Sequence, residues 1–371
     1  MSTPQNILTA LFSQQNLPFS KKEHGLFIIQ ISEKIQNFSP TELADLFVNA
    51  ALSSLMMQFI LDEHWLHQAQ AHRASITFQH FVSQFFACEL STIPFLQEKL
   101  SHSSTTEIKL VGEQSRLIEK IALDTIKQKN FHEQKYFAQK SLALMSELFE
   151  FENQLQVKKK SQYLDLHFSM YRTFDGLDEV FNLNYQADLN MKVEPQQTER
   201  LYEGAGVGVQ SGYSTVMTAL RHLNPKNGVR FVDLGSGYGR VGFVIGLMRP
   251  DIDFKGYEYV PHRVKISAEM TKNFALSNHV NFFVQDLSLS SFRIPAADIY
   301  YLYDPFSEET YQHVLGQLIE ISRQQKIFIA TKGNTRRQLI QINEQENWKP
   351  PLEFDNGNLC LFESNEVSII E

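Results

Sequence analysis

Cysteine is scarce in this chain of 371 residues: there are two, Cys88 and Cys360. They lie far apart, and neither has a Cys or His beside it at metal-ligand spacing, so neither a disulfide framework nor a structural zinc is suggested. Long apolar runs are missing too. The most apolar stretch, Ala51 to Leu61, is interrupted by Ser and Gln and is too short to span a bilayer. The first residues, Met1-Ser2-Thr3-Pro4-Gln5-Asn6, lack the basic start and apolar core of a signal peptide. Excess positive charge is absent as well: the formal net charge is -8, a poor global field for neutralising many phosphates, although a local basic groove stays open. These absences lead us to expect a soluble, cytoplasmic protein with no membrane partner.

Glycine is nearly missing from one half. Only Gly25, Gly112 and Gly176 fall in the first 200 residues, while fourteen of the 17 fall in the last 171. Two architectures are therefore joined, in keeping with a length that predicts two or three domains. The first part places apolar residues at helical spacing, as in Leu43, Leu46, Phe47, Ala50 and Ala51, and again in Leu117, Ile118, Ile121, Ala122 and Ile126. Ser39-Pro40-Thr41-Glu42 reads as a capping box with proline at the first helical position. Further helices are predicted near 5–15, 23–37, 74–99, 113–129, 131–157 and 161–172. Asp62, Glu63, His64, His67, His72 and His80 invite a metal reading, but no third ligand is fixed by spacing, and a solvated helix end explains them better. Lys158-Lys159-Lys160 likewise reads as a solvated helix surface rather than a phosphate patch.

From Val229 short β-branched and aromatic runs alternate with helical stretches. The predicted strands are Arg230–Leu234, Asp253–Glu258, Val280–Gln285, Asp298–Tyr303 and Lys326–Thr331, with helices near 239–248, 261–276, 308–323 and 334–346. Steady alternation implies a parallel sheet covered on both faces. The end differs: Leu352–Phe354 and Leu359–Phe362 flank Asp355-Asn356-Gly357-Asn358, an antiparallel hairpin on an Asn-Gly turn. The expected division is an all-α domain over 1–175, a linker and cofactor-lid segment over 176–225, and an α/β Rossmann-like domain over 226–371.

The central motif is Asp233-Leu234-Gly235-Ser236-Gly237-Tyr238-Gly239-Arg240, a buried strand running into a glycine turn that opens a helix. A dinucleotide fingerprint would carry glycine where Arg240 stands, and a pyrophosphate is disfavoured by the carboxylate of Asp233. Glu258 closes the second strand, where a carboxylate can accept both ribose hydroxyls, and Asp286 follows the third, where it can accept the exocyclic amine of adenine. Acids at three neighbouring strand ends suit adenosine joined to a cationic centre, as in S-adenosylmethionine.

The stretch from about Tyr202 to Phe362 resembles the class I S-adenosylmethionine-dependent methyltransferases, whose first motif is matched by Asp233 to Gly239. The resemblance implies a Rossmann-like seven-stranded methyltransferase sheet, parallel except for the C-terminal antiparallel hairpin. It also implies that Gly235, Gly237 and Gly239 hold the methionine moiety, Glu258 the ribose and Asp286 the adenine. A narrower likeness lies upstream: Tyr202-Glu203-Gly204 followed by Gln210-Ser211-Gly212-Tyr213 is similar to the arrangement in the non-SET histone-lysine methyltransferases. It implies that Tyr202, Glu203 and Ser211 are cofactor-contacting lid residues; a plain glycine-rich linker is the alternative.

At the fourth strand end, Tyr303-Asp304-Pro305-Phe306 is similar to the Asn/Asp-Pro-aromatic motifs of amine methyltransferases, without their second proline. That similarity makes Asp304 an acceptor for the attacking amine and a cofactor neighbour, Phe306 an aromatic wall, and Tyr303 a further catalytic candidate. A strand-ending turn is the other reading. Tyr257 and Lys332 complete the candidates for the acceptor pocket, Lys332 being readable also as a plain surface charge. The expected activity is in-line methyl transfer from S-adenosylmethionine, with a protein side-chain amine (lysine) placed first, nucleic acid second and a small molecule third. The last 171 residues hold 16 basic against 19 acidic residues and form no basic stripe. A catalytically idle cofactor-binding interaction protein and an NAD-dependent oxidoreductase are the remaining alternatives.

Overall fold

The computed structural model describes residues 21–70, 76–86, 94–158, 172–190, 210–303, 306–333, 335–354 and 357–366. The chain divides into two compact units, residues 1–180 and 181–371. Of the expected intermediate segment 176–225, its first described residues therefore group with the helical unit and the rest with the sheet unit.

In the helical unit, α1 (Lys21–Ile35), α2 (Pro40–Gln70), α3 (Phe78–Phe85), α4 (Pro94–His102), α5 (Thr105–Lys127) and α6 (Phe131–Lys158) follow in order. The capping box forms as predicted at α2: the Ser39 amide donates to Glu42 Oε2 at 2.8 Å and the Glu42 amide to Ser39 Oγ at 3.3 Å. A second capping box, Ser104 with Glu107, starts α5 eight residues before the predicted position. The helix expected over 74–99 is replaced by two, because Thr77 caps a fresh start before Phe78 and Pro94 suits only the first turn of a helix. The helices expected over 5–15 and 161–172 lie almost wholly outside the described residues, as does most of Lys158-Lys159-Lys160.

Helix α2 is the spine of this unit. It is long and apolar enough to cross a membrane by length and composition, but most of that window is buried against the other helices. Phe47 meets Phe137 at a ring distance of 5.6 Å and Phe174 at 6.4 Å, and Phe149 closes on Phe174 at 5.8 Å. Arg116 Nε donates to Ser54 Oγ at 2.9 Å, tying α5 to α2. The supposed solvated helix end is partly interior: Glu63 and His64 are buried, and His64 packs edge-on against Phe78 at 5.3 Å. No cluster of metal-ligating residues occurs among the described residues.

In the sheet unit, α7 (Tyr213–Leu223) precedes β1 (Arg230–Leu234), α8 (Arg240–Met248), β2 (Asp253–Glu258), α9 (Pro261–Asn273), β3 (Val280–Val284), β4 (Ile299–Tyr303), α10 (Glu308–Ser322), β5 (Phe328–Lys332), α11 (Thr335–Gln345), β6 (Lys349–Phe354) and β7 (Leu359–Glu363). Strand order is β3-β2-β1-β4-β5-β7-β6, with β7 antiparallel to both neighbours and all other pairs parallel. This is the expected Rossmann-like seven-stranded sheet, parallel except for the C-terminal antiparallel hairpin. Its order reverses at β1, flanked by β2 and β4, and such a switch point opens a crevice at the C-terminal strand ends. One face is sealed by Val232, Leu234, Tyr300, Leu302 and Ile329 against α10 residues Tyr311, Val314 and Leu318. Burying several such side chains contributes about 1.5–3 kcal/mol each, which anchors the strand ends that carry the site.

One carboxyl in the helical unit is out of balance. Burial pushes Glu119 on α5 up to about 7, with Glu179 adding to the effect and Arg116 opposing it. The folded state thus binds this proton more tightly than the unfolded chain, so the associated stability is full below the ordinary value of 4.5 and lost as pH rises through 7. Glu119→Gln is expected to change stability little at pH 5 and to raise it by about 2 kcal/mol at pH 8, read from urea unfolding of the full chain. Equal effects at both pH values would contradict a proton held at this site.

Candidate functional site

The glycine loop is built as the sequence predicts. Gly235, Gly237 and Gly239 all adopt left-handed backbone, with φ of 93°, 53° and 87°. Two of them are fixed by close approach as well. A Cβ on Gly239 would lie 2.7 Å from the Phe282 ring and 2.8 Å from Ser267 Cβ, and one on Gly237 would lie 3.1 Å from the Gln210 amide. The Gly235 and Ser236 amides both donate to Tyr257 O at 2.9 Å, pinning the loop to the end of β2.

Two acids face this loop. Asp233 on β1 is 2% exposed, and burial first, then the charge of Glu258, raises its carboxyl well above the usual carboxylate range. Glu258 is buried at the end of β2. Its Oε2 accepts from the Gly237 amide at 2.8 Å and its Oε1 from the Val260 amide at 3.0 Å. The structure thus brings Asp233, Glu258 and all three glycines together at the switch point. Asp286 follows β3 and is partly buried; its Oδ1 accepts from the Ser288 amide at 2.9 Å and from Ser288 Oγ at 2.6 Å, fixing a turn of its own.

The other expected residues divide. Ser211 is buried: its Oγ accepts from Tyr301 Oη at 2.8 Å and its carbonyl from Arg240 at 2.9 Å. Tyr202, Glu203 and Asp304 lie outside the described residues. Tyr257 is half-buried and stacks on Phe283 at 5.4 Å. Phe306, expected as a pocket wall, is 4% exposed and belongs to the core beneath β4, edge-on to Tyr311 at 5.2 Å. Lys332 is not a surface charge: it is 3% exposed, with Nζ 4.8 Å from the ring centroid of Tyr303. The register that sets Tyr303 beside Lys332 at the ends of β4 and β5 makes this pairing.

Sequence reasoning missed a second layer. Asp188, in a short 3-10 helix at Tyr185–Asn190, is buried and accepts from Tyr238 Oη and from His262 Nε2, each at 2.8 Å, and from Arg263. Arg263 on α9 also reaches Glu258 Oε1 at 3.4 Å. Arg240, recognised only as a departure from the dinucleotide fingerprint, is fully buried with its guanidinium 4.6 Å from the Tyr213 ring centroid. Spacing carries no signal for contacts across 50 or more residues, so only Tyr238 and Arg240, next to the glycines, were within reach of the sequence.

No family model matches the chain, and no curated protein matches it. Solved structures similar to it include the [4+2]-cyclase SpnF, at 19% identity over 32% of this chain and 44% of that one, with a TM-score of 0.28. TrmN from Thermus thermophilus is similar at 14% identity over 42% of this chain and 48% of that one, with a TM-score of 0.33. An RNA methyltransferase from Salinibacter ruber, in complex with S-adenosyl-L-homocysteine, is similar at 17% identity over 44% of this chain and 97% of that one, with a TM-score of 0.33. The chain spans about half the length of the first two.

The close packing at Gly239 gives a direct check. Gly239→Ala is expected to cost about 2 kcal/mol or more in urea unfolding, because it combines a left-handed φ with a Cβ pressed on Phe282. Gly316→Ala, where a Cβ meets nothing within 4 Å in the middle of α10, is expected to be neutral or stabilising. Equal destabilisation by both changes would contradict the loop geometry.

Proposed function

We propose that this chain is an S-adenosylmethionine-dependent methyltransferase. The observation that carries the reading is Asp233, a carboxyl buried at the switch point whose charged form is disfavoured by burial and by Glu258. A cationic ligand would supply the positive charge that restores it, whereas a pyrophosphate would add to the repulsion. The left-handed glycines beside it let a ligand approach backbone with no Cβ in the way. Glu258, held by two backbone amides and Arg263, keeps an acceptor site on Oε2 for a ribose hydroxyl. The residues present therefore fit a sulfonium nucleoside.

The bound cofactor supplies a methyl group on a positively charged sulfur, so transfer forms a bond from the acceptor to that carbon while the S–CH3 electron pair stays on sulfur. This chain's residues bind and orient. Positioning alone can lower the barrier by about 7–11 kcal/mol, so few residues need take part in proton transfer. Tyr301 and Arg240 fix Ser211 beside the glycine loop, and Tyr303 with Lys332 lines the ends of β4 and β5.

For the acceptor we propose a protein side-chain amine. Support comes from Asp304-Pro305 after the fourth strand and from the upstream likeness around Tyr202, Glu203 and Ser211. An acceptor carried on a macromolecule also agrees with a helical unit that takes up roughly half the chain. The test is incubation of the protein with methyl-labelled S-adenosylmethionine and a fractionated cell extract. Label is expected in protein, in an acid-stable methylated amine, and to be lost with Asp233→Ala. Label confined to nucleic acid or to small molecules would overturn the acceptor, and no transfer despite tight cofactor binding would indicate an interaction protein instead.

A further inference from the structure

Asp188 carries a buried charge that the reading above does not use. Its side chain is fully buried, and removing a carboxylate from water is costly unless it is thoroughly paired. The pairing here is complete on both oxygens. Oδ1 accepts from Tyr238 Oη at 2.8 Å, His262 Nε2 at 2.8 Å and Arg263 Nε at 3.2 Å, and Oδ2 accepts from the second Arg263 nitrogen at 3.1 Å.

Each partner leads into the cofactor site. Tyr238 is the residue between Gly237 and Gly239, so its hydroxyl fixes the glycine loop from behind. Arg263 spans two carboxylates: one side is held by Asp188, and its remaining terminal nitrogen reaches Glu258 Oε1 at 3.4 Å. Its guanidinium also lies 5.7 Å from the Tyr238 ring centroid. Glu258 in turn accepts from the Gly237 amide. A continuous chain of charge-assisted contacts thus runs from Asp188 through Arg263 to the carboxylate that faces a ribose, and through Tyr238 to the loop beside it.

We infer that Asp188 is a positioning residue for the ribose site: it holds Arg263 to a single contact on Glu258 Oε1, which leaves an acceptor site on Oε2 free. This inference rests on the methyltransferase reading. Without the charge at Asp188, Arg263 has one carboxylate left to pair with and is drawn onto both oxygens of Glu258, where it competes with the ribose hydroxyl at Oε2. The affected quantity is therefore recognition of the diol, not cofactor binding in general.

The experiment compares S-adenosylhomocysteine with its 2′-deoxyribose analogue by calorimetry on the full chain. The wild-type protein is expected to prefer the ribose form. Asp188→Asn is expected to bind S-adenosylhomocysteine about tenfold more weakly while the deoxy analogue is nearly unaffected, so that the preference collapses. Tyr238→Phe, which removes a single donor and keeps the ring, is expected to move the preference in the same direction by less, and it serves if the asparagine variant fails to fold. Equal weakening of both ligands would assign Asp188 a merely structural role and overturn the inference. So would unchanged affinities with the wild type binding well. Failure of the wild type to bind either ligand would sink the methyltransferase reading itself, an outcome distinct from the other two.

Discussion

A buried acid organises this site. Asp233 is the penultimate residue of β1 in the interior, next to a second buried acid, Glu258, and its carboxyl is driven toward the protonated form by that burial and by that neighbour. Such an arrangement is unfavourable for the protein alone and favourable in the presence of a cation. The surrounding structure keeps it in place: five parallel strands set the two acids at the switch point, and the loop between them is tied to β2 through the carbonyl of Tyr257 and the carboxylate of Glu258.

Around the acids, polar groups are paired in layers. Glu258 meets backbone amides and Arg263, Arg263 meets Asp188, and Asp188 meets Tyr238 and His262. The opposite side is fixed by Arg240, which lies on the Tyr213 ring and holds the carbonyl of Ser211, while Tyr301 holds its hydroxyl. Two short stretches ahead of β1, around Asp188 and around Ser211, are therefore bonded to the glycine loop and to the residue that follows it. Both belong to the sheet unit.

The strands and helices of the sheet unit were legible because each obeys a local rule. Alternating or continuous apolar runs marked β1 to β5, the hairpin marked β6 and β7, and the boundaries moved by only a few residues. The glycine loop was legible because left-handed backbone and close packing both demand glycine. Helix α5 began earlier than periodicity suggested because a capping box, not the apolar stripe, sets its start. Phe306 was misplaced, and the surface-charge alternative for Lys332 fails, for a different reason. Sequence position gives the strand end but not the face or depth, and an aromatic there sank into the core while a lysine was buried over a tyrosine ring. Asp188 was invisible, since its partners lie 50 to 75 residues away.

The most direct test is the proton that Asp233 gives up when a cationic ligand arrives. Calorimetric titration of S-adenosylmethionine from pH 5 to 8, in buffers of different ionisation enthalpy, measures that proton. Net release is expected wherever the carboxyl is protonated in the free protein and charged in the complex, and it is absent in Asp233→Asn. Binding without proton release at any of these pH values, or release that persists in the asparagine variant, would contradict a sulfonium nucleoside seated against this carboxyl.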